Sequence, residues 1–277
     1  MSISIKLIFI SVILSFVSCN NSDSTGPDGN RNNKLLKSVD FNTPGITGTY
    51  ESMSFEYDED SRYKKAVYKY NGLHPETKDK VIYDMIYDNY IFEGDKIKSI
   101  DMFSTLDSSS YRINYQYSDN LVSISNSNLV GTDYKFDLQV EYSEDKMVRS
   151  QLTILDPLTS SIQDISTTEI TYLEDGVAKV QSAGNSGTYY FTMDSEVLNP
   201  LNLSNVYRPA DFVYIEIFFI GNAASVSGVY SSKEKLDSGD FFFRMDHILD
   251  ADGALTHTRV QDYTFPNYRP AYSYEYY

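Results

Sequence analysis

Apolar and polar residues alternate along most of this chain. Leu138-Gln139-Val140-Glu141-Tyr142 is the clearest run. A period of two places one set of side chains on each face of an extended strand. Five such runs end in the same way. Phe55-Glu56-Tyr57-Asp58, Tyr90-Ile91-Phe92-Glu93-Gly94-Asp95, Tyr115-Gln116-Tyr117-Ser118-Asp119, Val140-Glu141-Tyr142-Ser143-Glu144-Asp145 and Ile170-Thr171-Tyr172-Leu173-Glu174-Asp175-Gly176 each lead into a further apolar strand. The shared pattern is apolar, any residue, aromatic, then turn formers, which describes a β-hairpin. Asp175-Gly176 and Asp252-Gly253 supply the positive φ angles of tight turns, and Gly94-Asp95 and Asp119-Asn120 are weaker versions. No segment shows a helical period. The nearest candidate, Pro209 to Ile220, is β-branched and aromatic, and its composition predicts a strand.

The aromatic positions of the five units are 57, 92, 117, 142 and 172. With ~5–6 residues per strand, two strands and two turns fit in about 25 residues. Residues 41–277 are therefore expected to form an all-β domain, one long antiparallel β-meander of hairpin repeats. About 12 or more strands exceed the ~10 that an open twisted sheet usually holds. The expectation is a curled open sheet or half-barrel, with a β-sandwich as the alternative. The C-terminal run Ala271 to Tyr277 is strand-like to its end and tyrosine-rich. As an exposed edge it would invite aggregation, so it is expected to pair beside the hairpin of residues 241–260. Phe265-Pro266-Asn267 and Arg269-Pro270 are expected in the connection before it, because Pro cannot donate to a ladder.

Before this domain the pattern changes. Lys6 precedes the apolar run Leu7 to Val17, which is 11 residues long and too short for the roughly 20 a spanning helix needs. A positive start and a short apolar stretch read as a signal peptide over residues 1–18. Phe16-Val17-Ser18-Cys19 resembles the bacterial lipobox, with Phe16 in the position where Leu is usual. The resemblance implies cleavage before Cys19 and attachment of a diacylglyceryl group to its thiol. Cys19 is the only Cys in the chain. Two or three acyl chains, at ~0.8 kcal/mol per buried methylene, make a stable anchor. Asn20 to Lys34 holds no strongly apolar residue and cannot offset its own ordering entropy. Residues 19–40 are thus read as a lipidated Cys and flexible tether. Asp23-Ser24-Thr25 resembles an O-glycosylation acceptor, and Ser22-Asp23 is a weak form of the acidic export signal found after such cysteines.

The tyrosine-rich hairpins, the lipobox, Met193-Asp194 with Asn199-Pro200-Leu201, and the tail Tyr272-Ser273-Tyr274-Glu275-Tyr276 together resemble uncharacterised Bacteroidota outer-membrane lipoproteins with YD-like repeats. That resemblance implies an antiparallel meander and no settled activity.

Composition removes several function classes. A net charge of −16, or −17 once residues 1–18 and their one Lys are gone, argues against nucleic acid as a partner. A single Cys excludes an internal disulfide framework and Cys-rich zinc modules. No Gly-x-Ser-x-Gly elbow, phosphate loop or His-Glu-x-x-His occurs, and Gly184-Asn185-Ser186-Gly187 reads as a turn. His247 and His257 flank the Asp250–Gly253 turn and would face each other, near Asp246 and Asp262, if the loop held three residues. The bland reading is a cross-strand polar pair, and no metal ligand is assigned. His74 stands in a loop without an identifiable partner. Asp250-x-Asp252-Gly253 and Asp58-Glu59-Asp60 lack the spacing of a calcium loop and read as turn-forming acids. The 25 Tyr are read as structural cover for strands with one solvated face, against the alternative of a sugar- or peptide-binding platform.

The functional expectation is a non-catalytic envelope lipoprotein without cofactors. It would be lipid-anchored in the outer membrane on its periplasmic or surface face, in a binding or structural role with a glycan or protein partner. The alternative is a carrier holding a lipid or lipoprotein acyl chain in its curled sheet. The two differ in one feature: a carrier needs an open apolar cavity, whereas a binder's concavity can be packed.

Overall fold

Every hairpin unit turns at the same end of the molecule. The computed structural model describes residues 34–41, 50–73, 79–94, 96–130, 135–143, 146–174, 176–183, 188–198, 224–262 and 265–277. Cys19, the expected signal peptide over residues 1–18, His74, Gly184–Gly187 and the apolar run up to Ile220 lie outside them. The strands are β1 (Leu36–Phe41), β2 (Tyr50–Tyr57), β3 (Tyr63–Leu73), β4 (Lys80–Glu93), β5 (Lys96–Ser104), β6 (Ser110–Ser118), β7 (Leu121–Val130) and β8 (Lys135–Ser143). There follow β9 (Lys146–Leu155), β10 (Ile162–Tyr172), β11 (Val177–Ala183), β12 (Thr188–Leu198), β13 (Ala224–Tyr230), β14 (Phe243–Leu249), β15 (Leu255–Asp262) and β16 (Phe265–Tyr276). Each pairs antiparallel with its neighbours in sequence, and β16 returns to pair with β1, closing a 16-stranded barrel.

Closure corrects the expected curled open sheet or half-barrel. Hairpin signals are local and show which consecutive strands pair. The contact that closes the ring joins Leu36–Phe41 to Tyr272–Tyr276, segments with no local relation. The expected pairing of the C-terminal run beside residues 241–260 holds: β16 pairs with β15 and, on its other side, with β1. The prolines are inside β16 rather than before it. Pro270 pairs with Arg259 next to a register shift, and β1 reaches only Tyr272 onward. Neither Pro266 nor Pro270 lies in the part of β16 that the described residues of β1 pair with. The barrel begins at Leu36, ahead of the expected boundary at 41. A register shift between Leu36 and Ser38 breaks the alternation that would have revealed this strand.

The turn chemistry was legible. Gly94, Gly176 and Gly253 have φ of 61°, 69° and 83°, and Asp119 has φ 30°. Asp58, Asp156 and Asp250 each use a carboxylate oxygen to accept backbone N–H groups ahead of them: Asp60 and Arg62, Leu158 and Thr159, Asp252 and Ala254. These acids close turns in the Asx manner.

Three of the five recurring aromatics, Tyr57, Tyr117 and Tyr172, share a more specific task with Tyr276. The Tyr57 hydroxyl donates to the Leu36 carbonyl at 2.8 Å, Tyr117 to Ile97 at 2.8 Å, Tyr172 to Met147 at 3.0 Å and Tyr276 to Leu255 at 2.9 Å. In each case a tyrosine at the end of an even strand ties down the first buried apolar residue of the strand before it. Lys96 and Lys146, next to two of these carbonyl residues, lie over the Tyr117 and Tyr172 rings at 5.1 and 5.3 Å. A hydroxyl-to-carbonyl bond contributes about 1 kcal/mol net. Burial pushes the Tyr57 and Tyr276 hydroxyls up to about 12, so both stay neutral donors at physiological pH.

A six-residue helix, α1 (Lys233–Ser238), joins β13 to β14. Ser232 caps its start by accepting from the Lys235 N–H, and Gly239, at φ 74°, ends it. None of its residues is buried, so it has no amphipathic period to read. The β13–β14 ladder beside it is the shortest in the barrel: Gly228 pairs with Arg244 and Val229 with Phe243.

Candidate functional site

A closed barrel offers two places for function, its interior and its outer wall. The alternating residues decide what each contains. Val39, Ala66, Tyr87, Ile100, Ile113, Ile124, Leu138, Val140, Ala178, Phe191 and Val229 are all 0% exposed. The residues of opposite parity carry charge. Asp101 takes a bidentate pair from Arg112 at 2.7 and 3.0 Å, which holds its carboxyl below the usual range. Arg149 pairs with Glu141 at 3.0 Å, Lys37 with Glu275 at 2.8 Å, and Arg259 with Asp246. Glu56 opposes Lys65, and Asp88 opposes Asp101, in the same outer band. Among the described residues the charged face is therefore outside and the fully buried apolar face is inside.

Among the described residues the inner face is a packed apolar core. Large barrels of this strand number usually enclose an aqueous channel with polar lining. Here Tyr68, Tyr87, Phe55, Phe136, Phe191 and Met53 are the largest fully buried side chains. Filling the space with side chains requires opposite walls to approach to about the 10 Å of packed sheets. The tyrosines read as cover for a solvated face are instead core for Tyr68, Tyr87, Tyr111 and Tyr115. Glu51 is the one buried carboxylate among the described residues, and it accepts from the Tyr68 hydroxyl at 2.8 Å.

The two histidines do not meet. Thr258 opposes His247 and His257 opposes Ile248, so the imidazoles are on opposite faces. The turn between them holds five residues, 250 to 254, and its closing pair Leu249–Leu255 would still set the histidines opposite each other; the register shift between Ile248 and Leu249 moves the pairing by one position. His247 bridges its two neighbouring strands, β13 and β15: its Nε2 lies 2.9 Å from the Val226 carbonyl and its Nδ1 3.1 Å from the Thr258 hydroxyl. Burial holds its imidazole below the usual 6.5, although the Val226 carbonyl and Asp194 and Asp246 pull the other way. An imidazole that binds its proton less well folded than unfolded favours the fold fully above 6.5. The gain is lost as the pH falls through the folded value. The melting temperature should therefore drop between pH 7.5 and 5, and His247→Asn should flatten that dependence. An unchanged slope in the variant would mean another group sets it. Asp250 and Asp252 are engaged by Lys34 at 3.0 and 2.7 Å, so a cation of the chain sits where calcium was considered. No group of three or more metal-ligating side chains occurs among the described residues.

Sequence reasoning missed one feature of the outer wall. The bulge in β4 places Asn89 at φ 50° and shifts the register between Asp88 and Ile91. Beside it is a cleft of about 360 Å³, lined by residues of β2, the β2–β3 turn, β3 and β4. Its walls include Tyr63, Tyr90 and Phe92 with Asp58, Arg62 and Asp88. Arg62 lies over the Phe92 ring at 5.0 Å and pairs with Asp58 at 2.9 Å. Burial, with Asp101 nearby, raises the Asp88 carboxyl. The Tyr90 hydroxyl is buried and has no hydrogen-bond partner. Asn89 inside a strand-like run was the only signal of the bulge.

No family model matches the chain, and no curated protein does. Among solved structures, a porin-like protein from Bacteroides uniformis is similar, with TM-score 0.54 and 10% identity over 87% of this chain and 96% of that one. A porin-like protein from Bacteroides vulgatus aligns over 88% of this chain and 99% of that one, with TM-score 0.44 and 11% identity. The first likeness supports the barrel fold.

Proposed function

We propose that this chain is a non-catalytic lipoprotein of the outer membrane that holds a solid barrel in the aqueous phase as a binding body. The observation that carries the reading is the orientation of the wall, apolar inward at 0% exposure and ion-paired outward. A barrel spanning a bilayer needs the reverse, an outward apolar band about 25 Å tall. A lipid anchor at Cys19 supplies the membrane attachment that such a wall cannot. The packed interior favours the binder over the acyl-chain carrier. Lys34, held by Asp250 and Asp252, brings the chain into the barrel at the tight-turn end.

Two measurements test the reading. Cys19→Ala should remain unprocessed or be released, and unchanged partitioning of that variant with membranes would refute lipid anchoring. The purified protein should give no conductance steps in a planar bilayer and no saturable displacement of a fluorescent fatty acid. A defined channel conductance would overturn the solid-barrel reading, and micromolar fatty-acid binding would restore the carrier.

A further inference from the structure

We propose that the cleft at the β4 bulge binds a neutral saccharide, one or two sugar rings in size. The inference deepens the binding role and rests on it, but not on the lipid anchor. Its volume of about 360 Å³ is at the small end of ligand sites. Three features select the ligand class.

The first is the unpartnered hydroxyl. At the ends of β2, β6, β10 and β16 the strand-end tyrosine donates to a carbonyl of the preceding strand. In β4 the matching position is Phe92, which has no hydroxyl, and Tyr90 is displaced by the bulge. Its buried O–H is left without an acceptor in a residue that lines the cleft. Leaving a buried polar group unpaired costs about 1–3 kcal/mol. A ligand hydroxyl, which both donates and accepts, would remove that cost.

The second is charge balance. The carboxylates Glu56, Asp58 and Asp88 face the cations Arg62, Lys64 and Lys65. Equal numbers of each leave no net field to select an anion or a cation. They do supply acceptors and donors side by side, the pairing that vicinal hydroxyls satisfy. The third is the aromatic wall. Tyr63 and Tyr90 have ring centroids 6.2 Å apart, and Tyr90 and Phe92 stack at 6.3 Å with planes 19° apart. Aromatic surface beside paired carboxylates and cations suits a ring with C–H faces and hydroxyl edges. The bulge belongs to the same design, since it re-aims Tyr90 and breaks the ladder where the cleft opens.

The test uses the acylated full chain in a detergent without a sugar headgroup. Saturation-transfer NMR and calorimetry are run with glucose, galactose, mannose, N-acetylglucosamine and their disaccharides. The probes for comparison are acetate, phosphate and lysine. At least one neutral sugar should bind saturably. Tyr90→Phe should weaken it about tenfold while leaving the melting temperature unchanged or raised, because it deletes an unpaired hydroxyl. Tyr117→Phe should do the opposite, lowering the melting temperature and sparing affinity. Binding of only a charged probe, or of no probe, overturns the saccharide assignment, and the membrane-partitioning result for Cys19→Ala stands apart from it. A Tyr90→Phe variant that loses stability would show that the hydroxyl is already satisfied, and would also overturn the proposal.

Discussion

Ile113→Lys should fail to fold, while Asn114→Lys, one residue along the same strand, should fold with stability within about 0.5 kcal/mol of the parent. Ile113 is 0% exposed and stands in the inner row between Ile100 and Asn126. A lysine there has neither water nor a carboxylate to meet. Stranding a charge in a packed interior costs several kcal/mol even after relaxation, and the Ile packing is lost as well. Against a domain stability of roughly 5–15 kcal/mol, that removes most or all of the fold. Asn114 faces outward, where its amide reaches the Ser127 hydroxyl at 3.3 Å and a lysine is solvated. Urea titration with near-ultraviolet circular dichroism separates the pair. The contrast also bears on function. In a water-filled lumen the inward lysine would be hydrated and cheap, and a cooperative fold for Ile113→Lys would favour a pore over a solid body.

How much of this was legible depends on the range of each signal. The turns were, because a Gly at φ 69° or an Asp accepting two backbone N–H groups leaves its mark within four residues. The repeat was also legible as spacing, although not its purpose. The acceptors of the Tyr117 and Tyr172 hydroxyls lie 20 and 25 residues earlier, and no local pattern names a carbonyl. Which face is inside could not be read. A strand such as Tyr111–Tyr117 alternates in the same way whether its apolar side meets lipid or a packed core. The burial of the apolar row and the ion pairs of the other row decide it, and neither is written in the alternation. The cleft was hidden for a further reason. It depends on a bulge, and a bulge changes which residues share a face without changing the composition of the strand.

Deleting residues 271–277 should abolish the monomeric, cooperatively unfolding state. The segment carries the closure of the ring. Tyr272, Ser273, Tyr274 and Glu275 pair with Phe41, Asp40, Val39 and Ser38 of β1, and on the other side Tyr272 and Ser273 pair with Thr258 and His257 of β15. Ala271 is in the core, the Phe41 and Tyr272 rings meet edge to face at 5.8 Å, and the Tyr277 hydroxyl donates to the Phe55 carbonyl at 2.9 Å. Removing the segment does more than subtract these contacts. It turns one closed wall into an open sheet whose new edges, β1 and β15, present unpaired backbone groups beside uncovered apolar rows. Val39 and Phe41 would gain water on one side, and identical edges on two molecules could pair. The expected outcome is concentration-dependent association and loss of a sharp thermal transition. Tyr276→Phe serves as the mild counterpart. It removes only the bond to the Leu255 carbonyl, and should cost about 1 kcal/mol while leaving a closed monomer. A truncated chain that stays monomeric and keeps the parent melting temperature would show that the wall holds without the β1–β16 ladder, and that closure is not what stabilises this barrel.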